Sequence, residues 1–396
     1  MKCKITNKEI LPFMSFGKMP IANGFIKKEN FKEEFFFEME VGFSEELSLF
    51  QLNDHPSPEK MFNETYPFFS GSSEYMQKHF EKYAENLKQR FKKNNIKIIE
   101  IGSNDGTMLK NFNTNNYQSL GFEPSKNVSD VAIKNGLNSI NKFFNQKNVS
   151  KLNDNIKSTD IIYASNVICH VPDLDDLIKS IDILLSKEGM FVFEEPYLGS
   201  MFEKTSYDQI YDEHIYMFSL TSVKKIFELY DFELVDAEPQ ITHGGSMRYF
   251  IKRKNESEIS KRLIQLLEAE KKIELDSLSR CLEFKKNCEI SKKNIKDKIN
   301  NFKNLDYKIA GYAATSKSTT VLNYCNIDHN LIDFICDTTP EKIGKYSPGT
   351  HIPIVDVSHF HNSKPDAAYL FAWNHKDEIF KKERNYKGKW FSHVEI

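Results

Sequence analysis

One stretch fixes what the rest of the chain is built around: Ile96-Lys-Ile-Ile-Glu-Ile-Gly-Ser-Asn-Asp-Gly-Thr-Met-Leu109. An apolar, β-branched run breaks at Gly102, passes through a small polar loop to Gly106, and resumes with helical spacing at Met108, Leu109 and Phe112. The pattern predicts a strand, a tight loop and a helix. In an open α/β sheet, ligands sit in the crevice beyond the strand's carboxyl end, where the amides that open the next helix point. Gly121-Phe-Glu-Pro124 closes a second apolar run, with Glu123 where such folds grip a ribose diol. Residues 160–172 predict a fourth buried strand entering a loop, and 189–197 a fifth. Strand and helix thus alternate from 96 to 197, the order of a parallel doubly wound sheet.

The loop itself is acidic. Glu100 stands one residue before the strand ends and Asp105 lies within the loop, whereas a pyrophosphate-binding turn does not usually carry acids. The spacing from Gly102 to Gly106 is neither the dinucleotide fingerprint nor a P-loop. It suits a ligand that is cationic or carries an amine, such as S-adenosylmethionine; a surface turn rich in Gly, Asn and Asp is the competing reading of the loop alone. A chain of 396 residues is too long for one ordinary core, so two or three domains are expected. A formal net charge of -2 gives no reason to invoke nucleic acid or an anionic membrane. No apolar run approaches the ~20 residues of a spanning helix, and Met1-Lys-Cys-Lys4 is not followed by a signal-peptide core. Scattered cysteines fit reduced thiols in the cytoplasm better than a disulfide framework.

Four motifs occur in a telling order: Glu100-Ile-Gly-Ser-Asn-Asp-Gly106, Tyr211-Asp-Glu-His214, His243-Gly-Gly-Ser-Met-Arg248 and Gly349-Thr-His-Ile-Pro-Ile354. With them the chain resembles, over nearly its whole length, the sugar C-methyltransferase family. Those enzymes methylate a carbon beside a ketone in nucleotide-linked deoxysugars. The resemblance implies an α/β class I S-adenosylmethionine-methyltransferase fold, a Rossmann-like doubly wound sheet. A small β-rich amino-terminal cap and a second Rossmann-like carboxyl-terminal domain accompany it. The expected divisions are 1–58 for the cap, 59–255 for the methyltransferase domain, 256–304 for a charged, periodic helical bridge, and 305–396 for a sugar-nucleotide-binding domain. The implied cofactor is S-adenosyl-L-methionine and the implied partner a nucleotide-activated sugar. Glu100, Gly102, Asn104, Asp105, Gly106, Glu123 and Asn166 are expected around the donor, with Glu123 on its ribose and the glycine loop at its amino-acid end.

The resembling family holds one zinc in the cap with two Cys-x-x-Cys pairs. Here Cys3 remains, but Thr6, Ser44 and Leu47 occupy the other positions. A structural tetrahedral site wants four strong ligands, so a degenerate cap without metal is expected. Phe13, Phe16, Phe25, Phe31 and the run Phe35-Phe36-Phe37 are expected to stabilise it. A site rebuilt from Glu45, Glu46 or His55 is the alternative.

On the acceptor side, Tyr66-Pro-Phe-Phe-Ser70 precedes an amphipathic helix that begins with Met76, His79, Phe80 and Tyr83. Hydroxyls there are ordinarily helix caps. In the family the matching Tyr-x-x-x-Ser segment folds over the donor, which makes Tyr66 a candidate contact. His170, just past the fourth strand, is expected near the transferred methyl or else is a hydrogen-bonded wall residue. Residues 208–216 gather a phenol, carboxylates and an imidazole. Deprotonating a carbon beside a ketone needs a base within hydrogen-bond reach and a group that steadies the enolate oxygen. His214 is the expected base, with Glu213 and Tyr211 as partners; a polar helix start that caps itself is the competing reading. Asp212 departs from the family, which has His there. Arg248 is expected on a phosphate or carboxylate, against an exposed Arg beside a β-bulge. In 307–323 a strand, small-residue loop and helix recur with Lys317, Ser318 and Asn323, which suits a diphosphate at a helix start. The family usually has Gly where Ala313 and Ser318 stand. Asp337 at a strand end, His351 in a turn and Trp373 for a base or sugar complete the expected acceptor set, each with an ordinary loop as its alternative. Two other functions fit the same residues: methylation at nitrogen or oxygen of an amino or amidino substituent, and a non-catalytic scaffold that retains donor binding.

Overall fold

Ile96, Ile98, Ile99 and Ile101 are all at most 3% exposed, so their strand is covered on both faces, as helices on both sides of a parallel sheet require. The computed structural model describes residues 1–64, 66, 68–91, 93–153 and 156–396. Its strands are β1 (Pro12–Pro20), β2 (Phe36–Ser44), β3 (Leu49–Leu52), β4 (Ile96–Ile101), β5 (Tyr117–Phe122), β6 (Ser139–Ile140), β7 (Thr159–Ser165) and β8 (Leu185–Pro196). After them come β9 (Tyr216–Met217), β10 (Phe232–Gln240), β11 (Ser246–Arg253), β12 (Ile309–Tyr312), β13 (Phe334–Asp337), β14 (Ile354–Asp356), β15 (Ala367–Leu370) and β16 (Lys389–Phe391).

The central sheet has the order β10-β11-β8-β7-β4-β5-β6. From β6 through β8 neighbours are parallel, while β11 runs antiparallel to both β8 and β10. The chain steps outward from β4 to β6 and then crosses back to β7, so β4 and β7 flank the switch point that opens a cleft at their carboxyl ends. The helix expected after Gly106 is only a 3-10 turn, Leu109–Phe112. Leu109 and Phe112 are buried as their spacing demands, but Asn111, Asn113, Asn115 and Asn116 compete with the backbone for hydrogen bonds and end the element. The Glu74–Arg90 helix does form, capped by the Ser73 hydroxyl on Met76 N–H, and buries Met76, Phe80, Tyr83 and Leu87.

The amino-terminal sheet is not closed by its own segment. β1, β2 and β3 form an antiparallel meander, and β9, from just beyond His214, adds the fourth strand by pairing Phe50 with Met217 and Gln51 with Tyr216. Phe13, Phe16, Phe37 and Phe50 share one core with Phe202, Phe284 on the Leu278–Asn304 helix and Tyr324 of the carboxyl-terminal part. Phe35 and Phe36 are each 42% exposed, unlike the expectation, because the alternation of β2 turns Phe36 outward as it turns Phe37 in. Phe31 stacks on His351 instead, at 3.7 Å between ring centres.

At the positions where the resembling family has thiolates, the turns are held by other atoms: Thr6 N–H reaches Cys3 Sγ at 3.5 Å and Leu47 N–H reaches Ser44 Oγ at 3.4 Å. Cys3 and Leu47 pack in a core with Leu49 and Tyr216. Apolar burial therefore supports the cap, and the amides of β1, β2 and β3 are expected to keep their protection from hydrogen exchange in a strong chelator. Loss of that protection on chelation would show that a metal holds the cap.

The bridge is two helices, Lys261–Lys272 and Leu278–Asn304, broken where Glu274 takes φ 53°. Beyond it, β14-β13-β12-β15-β16 form an all-parallel sheet, a second Rossmann-like layer. No helix among the described residues is long and apolar enough to cross a membrane.

Candidate active site

The carboxyl ends of β4, β5, β7 and β8 open into one cavity of about 810 Å³, whose far wall comes from the loops after β12 and β13 and whose edge includes Asn23 of the cap. Of the expected residues, the wall contains Tyr66, Gly102, Asn104, Glu123, Asn166, His170, Tyr211, Glu213, His214, Lys317 and Asp337.

At the β4 end, Gly102 has φ +68° and a Cβ there would meet Val167 at 2.4 Å, so only glycine fits this turn. Glu123 accepts N–H bonds from Asn104 at 2.9 Å and Ser125 at 2.7 Å, and burial raises its pKa. Asn104 and Asp105 hold protein. The Asn104 amide accepts from Ser70 N–H at 2.9 Å and donates to Phe68 carbonyl at 3.1 Å; Asp105 accepts from Gly71 N–H at 2.8 Å. Together they strap the segment after Tyr66 across the glycine loop, and Pro67 of that segment lies outside the described residues. Asp105 and Gly106 are off the cavity wall; a Cβ on Gly106 would meet Leu137 at 2.2 Å, so that glycine serves packing. Glu100, expected at the donor, also lies off the wall. It accepts a 3.0 Å bond from the Tyr163 hydroxyl, and burial pushes its pKa well up.

The end of the cavity where the acceptor is expected is built on residues 209–214. His214 Nδ1 lies 2.7 Å from the Gln209 carbonyl and Nε2 lies 2.7 Å from the Tyr211 hydroxyl. A carbonyl only accepts, so Nδ1 carries the proton and Nε2 accepts from Tyr211. Burial, reinforced by His170, holds His214 well below its usual pKa. The His170 ring stacks on His214 at 5.3 Å and on Phe62 at 5.7 Å, and burial lowers its pKa to about 4. Glu195 sets the turn that carries His170, its Oε1 accepting N–H bonds from Val167, Ile168 and Cys169 at 2.8, 2.6 and 3.3 Å. Glu213 accepts from Asn23 Nδ2 at 2.7 Å, and Asp212, the family departure, accepts from Ala22 N–H at 2.8 Å. Burial raises both carboxyls. The Thr319 hydroxyl donates to the Ala22 carbonyl at 2.8 Å, so the cap's 20–24 loop is clamped between the two larger parts of the chain.

Other expected acceptor residues are engaged away from the cavity, because buried donors must be paired. Arg248 binds Glu194 Oε2 through Nε at 3.0 Å and a terminal nitrogen at 2.7 Å. Burial pushes Glu194 up, but the hydrogen bond from His79 and the charge of Arg248 outweigh it and hold that carboxyl at about 2. Ser318 closes a capping box with Thr315, Asn323 donates to the Thr319 and Pro348 carbonyls, and His351 pairs with Glu34 at 2.7 Å. Trp373 donates to Asp208 at 2.6 Å. Lys317 stays on the wall, 3.3 Å from Asn374 Oδ1 and 4.9 Å from the centre of the Trp373 ring, its pKa lowered by burial. Asp337 accepts N–H bonds from Ala314 and Thr339 at 2.7 and 2.8 Å and so shapes two wall loops.

Asn23, His243, Lys342, Asn374 and His375 also line the wall, none of them expected there from the sequence. His243 lies in the His243–Arg248 motif, with burial lowering its pKa to about 3; Asn23 carries no local signal at all. Beside His243, Gly244 has φ +87°, and a Cβ would meet Trp373 at 2.1 Å. Gly244→Ala is expected to destabilise the protein by about 2–4 kcal/mol, combining backbone strain with a forced shift of the Trp373 ring. Urea unfolding checks this, and an unchanged midpoint would contradict it.

The sequence matches three family models in succession: "Putative zinc binding domain" over residues 3–62, "Methyltransferase domain" over 74–237 and "C-methyltransferase C-terminal domain" over 241–394. The C-methyltransferase NovU of Streptomyces niveus is 26% identical over 389 residues, covering 97% of this chain and 92% of that protein. Two solved structures are similar over part of the chain. Magnesium protoporphyrin IX methyltransferase (ChlM) from Synechocystis PCC 6803 with bound SAH covers 45% of this chain and 83% of its own at 11% identity and TM-score 0.35. The PH0226 protein from Pyrococcus horikoshii OT3 covers 48% and 97% at 15% identity and TM-score 0.37. With three models in this order along nearly its whole length and a C-methyltransferase aligned with almost all of it, the chain is a methyltransferase similar to C-methyltransferases.

Proposed function

We propose that this methyltransferase uses S-adenosylmethionine to methylate a carbon beside a ketone in a nucleotide-activated sugar. The observation that carries the reading is the Tyr211–His214 pair on the wall of a cavity that also contains Glu123 and the Gly102 turn. Bound against that turn and Glu123, the donor supplies an electrophilic methyl group. Glu123 keeps lone pairs for a ribose diol beyond its two backbone bonds, and Asn166, at the end of β7 with its Oδ1 unpartnered among the described residues, faces the same space.

Both nitrogens of His214 are engaged, so the imidazole acts through the phenol. Tyr211 oxygen takes the proton from the carbon as its own proton passes to His214 Nε2, and the Gln209 carbonyl steadies the imidazolium through Nδ1–H. Neutral His170, with Nε2 buried and unpartnered among the described residues, is the group to steady the enolate oxygen. Tyr66 closes this side of the site. Glu213 and Asn23 hold the 209–214 segment in register. Lys317, Ser316 and the start of the Ser316–Tyr324 helix suit the diphosphate, with Asp337 shaping the adjoining loops. In this reading Glu100, Asp105, Gly106, Arg248, Ser318, Asn323, His351 and Trp373 support the site without touching ligand. The divisions 1–58, 59–255, 256–304 and 305–396 remain our proposed domain limits.

Incubating the protein with methyl-labelled S-adenosylmethionine and a panel of nucleotide-linked ketosugars tests this. Label on a carbon next to the ketone, located by NMR, is the expected product. Label on nitrogen or oxygen, or none on any ketosugar, contradicts it.

A further inference from the structure

Three soft donors converge at the acceptor end of the cavity. Cys169, His170 and His214 each offer one ligand atom, and these atoms all lie within 4.8 Å of one another. They sit on two pieces of backbone that are already fixed. Glu195 pins the turn of Cys169 and His170 through three N–H bonds, the Gln209 carbonyl pins His214, and Ile215 N–H joins the two pieces by a 2.9 Å bond to the Cys169 carbonyl. Cys169 is 1% exposed, and His170 Nε2 is a buried ring nitrogen without a partner among the described residues.

We infer that this cluster binds a soft divalent cation of the zinc class through Cys169 Sγ and one ring nitrogen each of His170 and His214. One thiolate with two imidazoles is a donor set that zinc accepts and that magnesium or calcium, which want oxygens, does not. Zinc bonds of about 2.0–2.3 Å draw such donors closer than 4.8 Å, and small rotations of the Cys169 and His170 side chains supply the difference. The Tyr211 oxygen, 2.7 Å from His214 Nε2, or an oxygen of the acceptor takes the fourth position. Binding releases the thiol proton to solvent and changes no oxidation state. It withdraws His214 Nε2 from Tyr211, so the cation blocks the proton relay and leaves the Gly102 and Glu123 side untouched. The site is separate from the cap, whose thiol is Cys3.

Cobalt(II) titrated into the chelator-stripped full-length protein tests this, because a thiolate ligand gives an intense near-ultraviolet charge-transfer band that zinc then displaces. The band is expected with about one cobalt per chain, retained in Cys3→Ser and lost in Cys169→Ser. His170→Gln is expected to weaken cobalt binding at least about tenfold. No band in the native protein, or a band that survives Cys169→Ser, overturns the inference. Should Cys169→Ser fail to fold, an unchanged cobalt affinity in His170→Gln overturns it equally.

Discussion

Replacing His214 with Asn is expected to lower kcat by at least about a thousandfold while the affinity for S-adenosylmethionine changes by no more than about twofold. Among the described residues the imidazole is the one acceptor bonded to the Tyr211 hydroxyl, and its own Nδ1–H is fixed by the Gln209 carbonyl. An amide has no basic nitrogen to take the phenol's proton. Tyr211, whose pKa burial already pushes well above the ordinary phenol value, then has no route to a reactive oxygen. The proposed donor cradle lies on other elements, around Gly102 and Glu123. Calorimetry for the donor and steady-state kinetics for the transfer separate the two effects. A large loss of donor affinity, or near-native turnover, would contradict the assignment.

Arg248→Met is expected to cost about 3–5 kcal/mol of folding stability, since it strands the buried Glu194 carboxylate. The guanidinium meets Glu194 at 2.7 Å and Glu238 at 3.6 Å, and lies 3.6 Å over the Tyr83 ring. His79 and Thr242 also converge on Glu194, so the strand ends of β8 and β11 and the Glu74–Arg90 helix all depend on this ion. The double variant Glu194→Gln with Arg248→Met is expected to regain part of the loss, because no unpaired ion is then left buried. Urea unfolding measures both. A ligand-holding Arg would behave differently: Arg248→Met would fold as the native protein does and only its KM for the acceptor would rise.

Backbone geometry was legible in the sequence wherever it follows local periodicity. The β-branched run ending at Gly102, the second run ending at Glu123 and the parallel strands through β8 appear where the pattern puts them, whereas the helix after Gly106 shrinks to a 3-10 turn. The direction of individual polar side chains was less legible. Asn104 and Asp105 sit in the predicted loop yet bind the backbone of residues 68–71, because those amides reach them first. Arg248 and Trp373 lie in recognisable motifs, but Glu194 and Asp208 claim their donors. Asn23 meets Glu213 across 190 positions of sequence, a contact no local pattern encodes. The cap was read as a unit, whereas its last strand, β9, comes from the far side of the site; a two-residue strand is too short to leave a periodic trace.

The most direct test of carbon methylation is proton exchange in deuterated water. With a nucleotide-linked ketosugar and S-adenosylhomocysteine in place of the methyl donor, the native protein is predicted to exchange the proton on the carbon beside the ketone, followed by NMR or mass, and His214→Asn is predicted not to. Methyl transfer to a substrate bearing a free amino or amidino group, with no exchange or loss of a carbon-bound proton, would contradict the account and leave nitrogen as the acceptor atom.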